Sequence, residues 1–312
     1  ESLVMAVGES SSDIVHISRN CMAHDKVLYD GHAVAAIAAT SAAIAQAALA
    51  LIDVDYEVLP FVLDLEAALA DGAPLLHDDV FTKGVTPAAD RPSNLAMRVE
   101  MARGDIDAGF AAAAVVIERR YATEPVHQGY IEPHACVASW GADGQVQIWG
   151  SSQGHFAVRS LTASVLAVPQ ADIRVMQLEI GGGFGGKTTI YLEPVAVLLS
   201  RKSGRPVRLA MSRRDVFRAT GPAPGTIADL RLGVDRDGMI VAIDMDFMFH
   251  AGAYPSATAS SGASSAFAHY SVENARIVGR EVLCNRPATK AYRAPGAPQT
   301  VFAIECALDE AA

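Results

Sequence analysis

Residues Gly181 to Thr188 read GGGFGGKT, with five glycines in eight positions. Glycine loses more conformational freedom on folding than any other residue. A run of it therefore persists where the backbone must take left-handed dihedrals or come very close to something else. The stretch also satisfies G-x-x-x-x-G-K-[ST], the pattern of a loop that cradles nucleotide phosphates. That reading needs a continuous apolar parallel strand before the loop, a helix after it, and an acidic residue on a second buried strand for magnesium. The preceding IRVMQLEI (173–180) instead interleaves Arg174, Gln177 and Glu179 with apolar residues. The one candidate for the acid, Asp244, lies on GMIVAIDMDFMF (238–249), which alternates with period two directly after an Asp237-Gly238 turn. This marks one arm of a half-solvated antiparallel hairpin and turns Asp244 toward water. The glycines thus serve either close backbone approach to a bulky ligand, with N–H groups aimed at it, or a tight turn packing a helix on a sheet.

The rest of the composition narrows the class. Half of the 312 residues are hydrophobic and 19% are charged, which predicts a sizeable core. A net charge of −10 without a Lys/Arg-rich block argues against nucleic acid as partner. Cys21, Cys136, Cys284 and Cys306 are widely separated and form no CxxC pair. That spacing supports no zinc site, iron–sulfur cluster or dense disulfide framework, and it suits a reducing, cytoplasmic compartment. The opening ESLVMAVGES shows no signal-peptide pattern, and VFAIECALDEAA at the end reads as a helix without a cap, so the chain is expected to be part of a longer polypeptide. Ala33–Ile52 is uncharged over twenty residues, long enough to span a bilayer. Its alanine content and internal Thr40, Ser41 and Gln46 favour a buried strand, a Thr/Ser N-cap and an amphipathic helix over 41–52.

With VDYEVLP, which ends at Pro60, that region predicts a β-α-β unit. A short helix follows in DLEAALADGAPLL, and the Pro- and Gly-rich 82–94 marks a domain boundary. Beyond it the sequence predicts an Asp105-capped helix and a strand at VVIERRYAT. A hairpin turning at ADGQ, a helix ending before Pro169, a helix stopped by Gly204 and the hairpin of 228–249 complete the prediction. Hairpins mixed with separate helices indicate an α+β fold.

Four segments in order carry a more specific signal: YIEPHACVASW (130–140), SSQG (151–154), GGGFGGK (181–187) and AYRAPGAPQ (291–299). Together they resemble the molybdopterin-binding large subunit of the xanthine dehydrogenase/aldehyde oxidase family. DKVLYDGHAVAAIAATS with VDYEVLP resembles that family's α/β hammerhead domain without its first strands. The resemblance implies a partial hammerhead domain over 1–85 and the first part of a cofactor-binding domain over 86–312, truncated at its C-terminus. It implies a molybdenum hydroxylase subunit that oxidises an aldehyde or aromatic N-heterocycle with water as oxygen source. The cofactor would be molybdopterin in its cytosine dinucleotide form, with the metal held by the pterin rather than by protein ligands. The catalytic glutamate would lie beyond Ala312. A small [2Fe–2S] subunit and a medium FAD subunit would carry the electrons, in a dimer of heterotrimers.

By the same resemblance, Gln153 hydrogen-bonds an oxygen ligand of the metal. Gly182, Gly183, Phe184 and Gly185 approach the cofactor, and Arg293 stands beside the substrate. Taken alone, Gln153 would be an ordinary polar strand end, Phe184 a core aromatic and Arg293 half of a surface ion pair. Glu132 and His134 do not complete a metal site and read as scaffold; Lys187 reads as a structural charge. Two positions depart from relatives within the family. Thr188 stands where purine oxidisers carry a glutamate, which puts xanthine in doubt. Ala294 stands where carbon monoxide dehydrogenases carry a copper-bridging cysteine, which argues against that chemistry. The remaining alternatives are a nucleotide-binding module and an incomplete, non-catalytic scaffold.

Overall fold

A computed structural model describes residues 4–7, 10–256 and 258–312; part of the opening ESLVMAVGES lies outside them. In chain order the first elements are β1 (Val4–Val7), β2 (Ser10–Asp13), α1 (Ile14–Cys21), α2 (Ala42–Leu49), α3 (Leu65–Leu69) and β3 (Leu95–Arg103). Next come α4 (Ile106–Ala112), β4 (Val115–Thr123), β5 (Ala135–Trp140), β6 (Val146–Gly150), α5 (His155–Leu166) and β7 (Ile173–Gln177). The remainder are α6 (Glu193–Ser203), β8 (Val207–Ala210), α7 (Arg213–Ala219), β9 (Thr226–Val234), β10 (Ile240–Gly252), α8 (Ala259–Ser265), β11 (Asn274–Leu283) and α9 (Ala297–Ala311). They form two compact units, one of residues 1–60 with 128–221, the other of 61–127 with 222–312.

The first unit is built on a four-stranded sheet in the order β7-β6-β5-β8. The β5–β6 hairpin is antiparallel, with Cys136 opposite Gly150, and β7 joins β6 in parallel. Alternation along β5 and β6 puts Cys136, Ala138, Val146 and Ile148 on one face, where they pack with Ala163 of α5 and Ala196 and Val197 of α6. Helix α5 ends at Ala167, which takes a left-handed φ of 52° ahead of Pro169, and α6 ends at Gly204 with φ of 64°. A capping box of Ser212 and Asp215 starts α7.

The segment around α2 departs from the sequence reading. Ser41 caps the helix as predicted, its Oγ accepting from Ile44 N at 3.3 Å. The flanking strand-like segments join no ladder among the described residues, and the expected buried strand at 33–39 is mostly exposed, with α2 burying no side chain. Alternation creates an apolar face, but a strand also needs a partner, and none of the described residues supplies one here. Among the described residues no helix is long and apolar enough to cross a membrane.

The second unit holds a five-stranded sheet, β3-β11-β10-β9-β4. The β9–β10 hairpin forms as predicted. One face of it is half-solvated as expected, carrying Asp229, Arg231, Asp244 and Asp246, but β10 is also the central strand and pairs in parallel with β11 on its other edge. Local alternation cannot reveal a parallel partner brought in by a crossover through α8. Asp244 lies on that face, its side chain 20% exposed, and pairs with Arg276 of β11 at 3.3 Å. Leu230, Leu232, Ile243, Met245, Phe247, Phe249 and Ile277 form the core with Ala259 and Ala263 of α8 and Ala303, Ile304 and Ala307 of α9. Asp105 caps α4 as expected, accepting from Asp107 N and Ala108 N at 3.1 Å each. Antiparallel hairpins, single parallel joins and flanking helices make the chain α+β.

Candidate functional site

The glycine run leaves the edge strand β7 and does not enter a helix directly; α6 begins at Glu193, five residues past Thr188. Lys187 is 1% exposed, and its Nζ lies 2.7 Å from Glu132 Oε2 and 4.9 Å from the centre of the Tyr130 ring. A lysine committed in this way cannot reach a nucleotide phosphate. Asp244 belongs to the other sheet and is paired with Arg276. The requirements of a phosphate-cradling loop therefore fail in lysine, helix and acid alike.

Most glycines of the run are required by the chain's own side chains. A Cβ on Gly181 would sit 2.5 Å from Glu132 Cβ. One on Gly183 would meet Gln153 Oε1 at 2.5 Å, and one on Gly186 would meet Tyr130 Cε1 at 2.8 Å. Gly182 and Gly185 have φ of 96° and 106°, dihedrals open to glycine at little cost. The loop thus packs directly on YIEPH and on Gln153. Glu132 and His134 act there as scaffold: Glu132 holds the loop, and the His134 ring nitrogen lies 2.8 Å from the buried Tyr130 hydroxyl. Burial pushes the Glu132 carboxyl up. The Lys187 ammonium and the Gly181 N–H outweigh that and hold it below its ordinary range.

Gln153 is fixed by the loop. Its carboxamide Oε1 accepts from Gly185 N at 2.8 Å and Lys187 N at 3.2 Å, and its backbone N–H donates to Lys187 O at 2.9 Å. Two backbone donors on one oxygen settle the orientation of the amide, so Nε2 points away from the loop. Nε2 finds no acceptor among the described residues, and Gln153 is exposed. The same accounting applies to the loop backbone. The N–H groups of Gly181, Gly185, Gly186 and Lys187 are bonded within the chain. Those of Gly182, Gly183 and Phe184 are not, among the described residues, although Gly183 is buried. Phe184 has φ of 53° and its residue is 51% exposed, so it is neither a core aromatic nor in a relaxed backbone. A bulky residue held left-handed costs about 1–3 kcal/mol and is a mark of a functional site. Thr188 Oγ1 donates to Gly185 O at 3.0 Å, so its hydroxyl is used inside the loop.

Gln153, Gly182, Gly183, Phe184 and Gly185 are therefore brought together in the first unit, while Arg293 belongs to the second. Arg293 and Ala294 have φ of 26° and 63°, both are exposed, and Arg293 makes no ion pair among the described residues. The small-residue stretch near 258–265 explains how the turn is held. Ser261 Oγ donates to Pro295 O at 2.9 Å, Thr300 Oγ1 donates to Gly262 O at 3.1 Å, and a Cβ on Gly296 would lie 2.8 Å from Gly262 N. Ser261 carries no spacing signal in the sequence, and nothing in YIEPHACVASW marks Tyr130 as the residue the glycine loop packs on.

The unbonded donors, the outward carboxamide and the absence of a protein ligand set within the loop suit a large group that brings its own metal and presents oxygen atoms. Comparison with known proteins agrees. The family description "Molybdopterin cofactor-binding domain" matches residues 88–312, and "Aldehyde oxidase and xanthine dehydrogenase, a/b hammerhead domain" matches 5–60. A xanthine dehydrogenase molybdenum-binding subunit of Escherichia coli is 31% identical over 92% of this chain and 37% of its own length. Quinoline 2-oxidoreductase of Pseudomonas putida superposes with a TM-score of 0.80 at 28% identity, over 93% of this chain and 37% of that one. Carbon monoxide dehydrogenase of Oligotropha carboxidovorans gives 0.82 at 29% identity over the same shares. The chain spans little more than a third of the length of these relatives.

Proposed function

This chain belongs to the family of molybdopterin cofactor-binding domains found in molybdenum-containing oxidoreductases, and from that premise we propose that it is part of a hydroxylase subunit acting on an aldehyde or aromatic N-heterocycle. The observation that carries the reading is the Gln153 carboxamide, pinned through Oε1 so that Nε2 is left to donate, in a loop where three N–H groups are uncommitted among the described residues. When bound, a molybdenum–pterin group supplies the two-electron redox chemistry that inserts oxygen from water at an electron-poor carbon. Gln153 Nε2 donates to an oxygen of that group, and the N–H groups of Gly182, Gly183 and Phe184 face its polar rim. Gly185 allows the close approach of the backbone. Arg293, without a carboxylate partner among the described residues, stabilises negative charge on the substrate.

Thr188 and Ala294 support a substrate other than xanthine or carbon monoxide, whatever the named relatives act on. We assign residues 1–85 to a partial hammerhead domain and 86–312 to part of the cofactor-binding domain, a division that the two family matches support. The cytosine dinucleotide form of the cofactor, separate [2Fe–2S] and FAD subunits and a cytoplasmic location complete the proposal. The relative named as a molybdenum-binding subunit supports a multi-subunit enzyme.

The test is metal and pterin analysis of the full-length protein, with Arg293→Ala beside it. Molybdenum and pterin in near-equal amounts are expected, with turnover lowered in Arg293→Ala and molybdenum unchanged. A protein without molybdenum that binds ATP with magnesium would overturn the reading. Unchanged turnover in Arg293→Ala would remove that residue from the substrate site.

A further inference from the structure

One oxygen atom holds both ends of the glycine loop. Glu132 Oε2 accepts from Gly181 N at 2.8 Å and from Lys187 Nζ at 2.7 Å, and Glu132 N donates back to Gly181 O at 3.1 Å. The Lys187 side chain is fully buried, over the Tyr130 ring and 3.5 Å from Ser151 Oγ. Its backbone holds the other partner, since Lys187 N donates to Gln153 Oε1 and Lys187 O accepts from Gln153 N. Among the described residues, Lys187 is thus the one that ties the carboxylate to the carboxamide. We propose that Lys187 and Glu132 form a latch that closes the glycine loop and, through the Lys187 backbone, fixes Gln153 with its Nε2 outward. They are positioning residues, and the purpose of the latch rests on the cofactor reading above.

The energetics favour position over stability as the reason for such a pair. Burying an ammonium is costly, and the attraction to one carboxylate roughly offsets that cost. A neutral, similarly shaped pair could serve a fold equally well. What it could not supply is a charged tether that draws residues 181 and 187 onto a single atom. Without it the 181 end stays tied to Glu132 through its backbone bond, the 187 end is released from Glu132, and Gln153 loses the fixed position of one of its two donors.

The experiment uses the full-length protein with Lys187→Met, Glu132→Gln, Gln153→Ala and the Lys187→Met/Gln153→Ala double variant. Amide hydrogen exchange is followed over 181–188, and retained pterin and the unfolding midpoint are measured alongside. The latch predicts exchange of Gly185 and Lys187 amides faster by about ten-fold or more in Lys187→Met, with β5 and β6 protection unchanged. It also predicts that the double variant exchanges and loses pterin no more than the worse single variant, because both act through one contact. Glu132→Gln keeps an acceptor at the site and serves if Lys187→Met does not fold; it should show the same exchange pattern at smaller amplitude. Unchanged exchange at Gly185 and Lys187, or losses that multiply in the double variant, would overturn the latch. A wild-type protein without pterin would sink the cofactor reading, while the exchange data would still decide the latch.

Discussion

Two loops hold non-glycine residues left-handed and exposed, Phe184 in the first unit and Arg293 with Ala294 in the second, and they are restrained by different balances of side chain and backbone. The 181–187 loop is tied by side chains: the Glu132 carboxylate, the Lys187 ammonium and the Gln153 carboxamide. The 291–296 turn takes a side-chain bond from Ser261 Oγ to Pro295 O and is wedged by backbone, with Gly296 against Gly262 N of α8 and Thr258 O at its N-cap. A side chain can swing aside and a helix backbone cannot. The first loop is therefore adjustable in position and the second is set by the packing of α8 and α9.

The comparison is broken most severely at Gly296. Gly296→Ala adds a left-handed penalty at φ of 81° to a Cβ contact of 2.8 Å with backbone. A loss of about 2–5 kcal/mol is expected, from roughly 1–2 for the dihedral and 1–3 for overpacking, read as a fall in the unfolding midpoint. A loss below about 1 kcal/mol would mean that the turn is not wedged.

The second unit also carries a pH sensitivity of its own. Burial, with help from Arg286, pushes His250 down to about 4, beside Cys284 Sγ at 3.1 Å. Its folded value lies below the unfolded value of about 6.5, so the unfolded chain takes up a proton first as pH falls. Stability from this group is present above pH 6.5 and is lost between about 6.5 and 4. At about 1.4 kcal/mol per unit the ceiling is about 3 kcal/mol. His250→Gln should flatten that part of the stability–pH curve, and an unchanged slope would remove His250 as its source.

Gly183→Ala probes the adjustable loop. The three atoms nearest its Cβ would be Oε1, Cδ and Cγ of the Gln153 side chain, at 2.5 to 2.9 Å. Gln153 can move, at the expense of two accepted hydrogen bonds, so a loss of about 1–2 kcal/mol is expected. Pterin retention should fall much further than stability, because the displaced group is the proposed donor. Equal stability losses at Gly183 and Gly296 would erase the contrast between the two loops.

How much of this was legible depended on whether a feature is local. The caps at Ser41 and Asp105, the β5–β6 and β9–β10 hairpins and the ends of α5 and α6 follow from short-range signals and appear as read. The parallel join of β10 to β11 and the exposed flanks of α2 do not, since partners distant in sequence decide them. In the site, Lys187 and Glu132 read correctly as scaffold, but their shared oxygen atom was invisible, because 55 residues separate them. The glycines pointed to close approach to a ligand or to a tight turn. For Gly181, Gly183 and Gly186 what comes close is the chain itself, and a pattern of glycines cannot distinguish a ligand from a neighbouring side chain.

The smallest expected stability effect, and the sharpest test of purpose, is Phe184→Gly. At φ of 53° the substitution relieves roughly 1–2 kcal/mol of left-handed strain and costs about 0.5–1 in added freedom of the unfolded chain. Half-exposed Phe184 also gives up roughly 1 kcal/mol of burial. The three terms nearly cancel, so the midpoint should stay close to wild type. If the strain exists only to shape the turn, glycine is the better residue and pterin retention should match wild type. If the ring itself covers the cofactor, retention and turnover should fall in a protein of near wild-type stability. A variant that is both as stable and fully loaded would show that Phe184 contributes nothing to the site beyond its backbone.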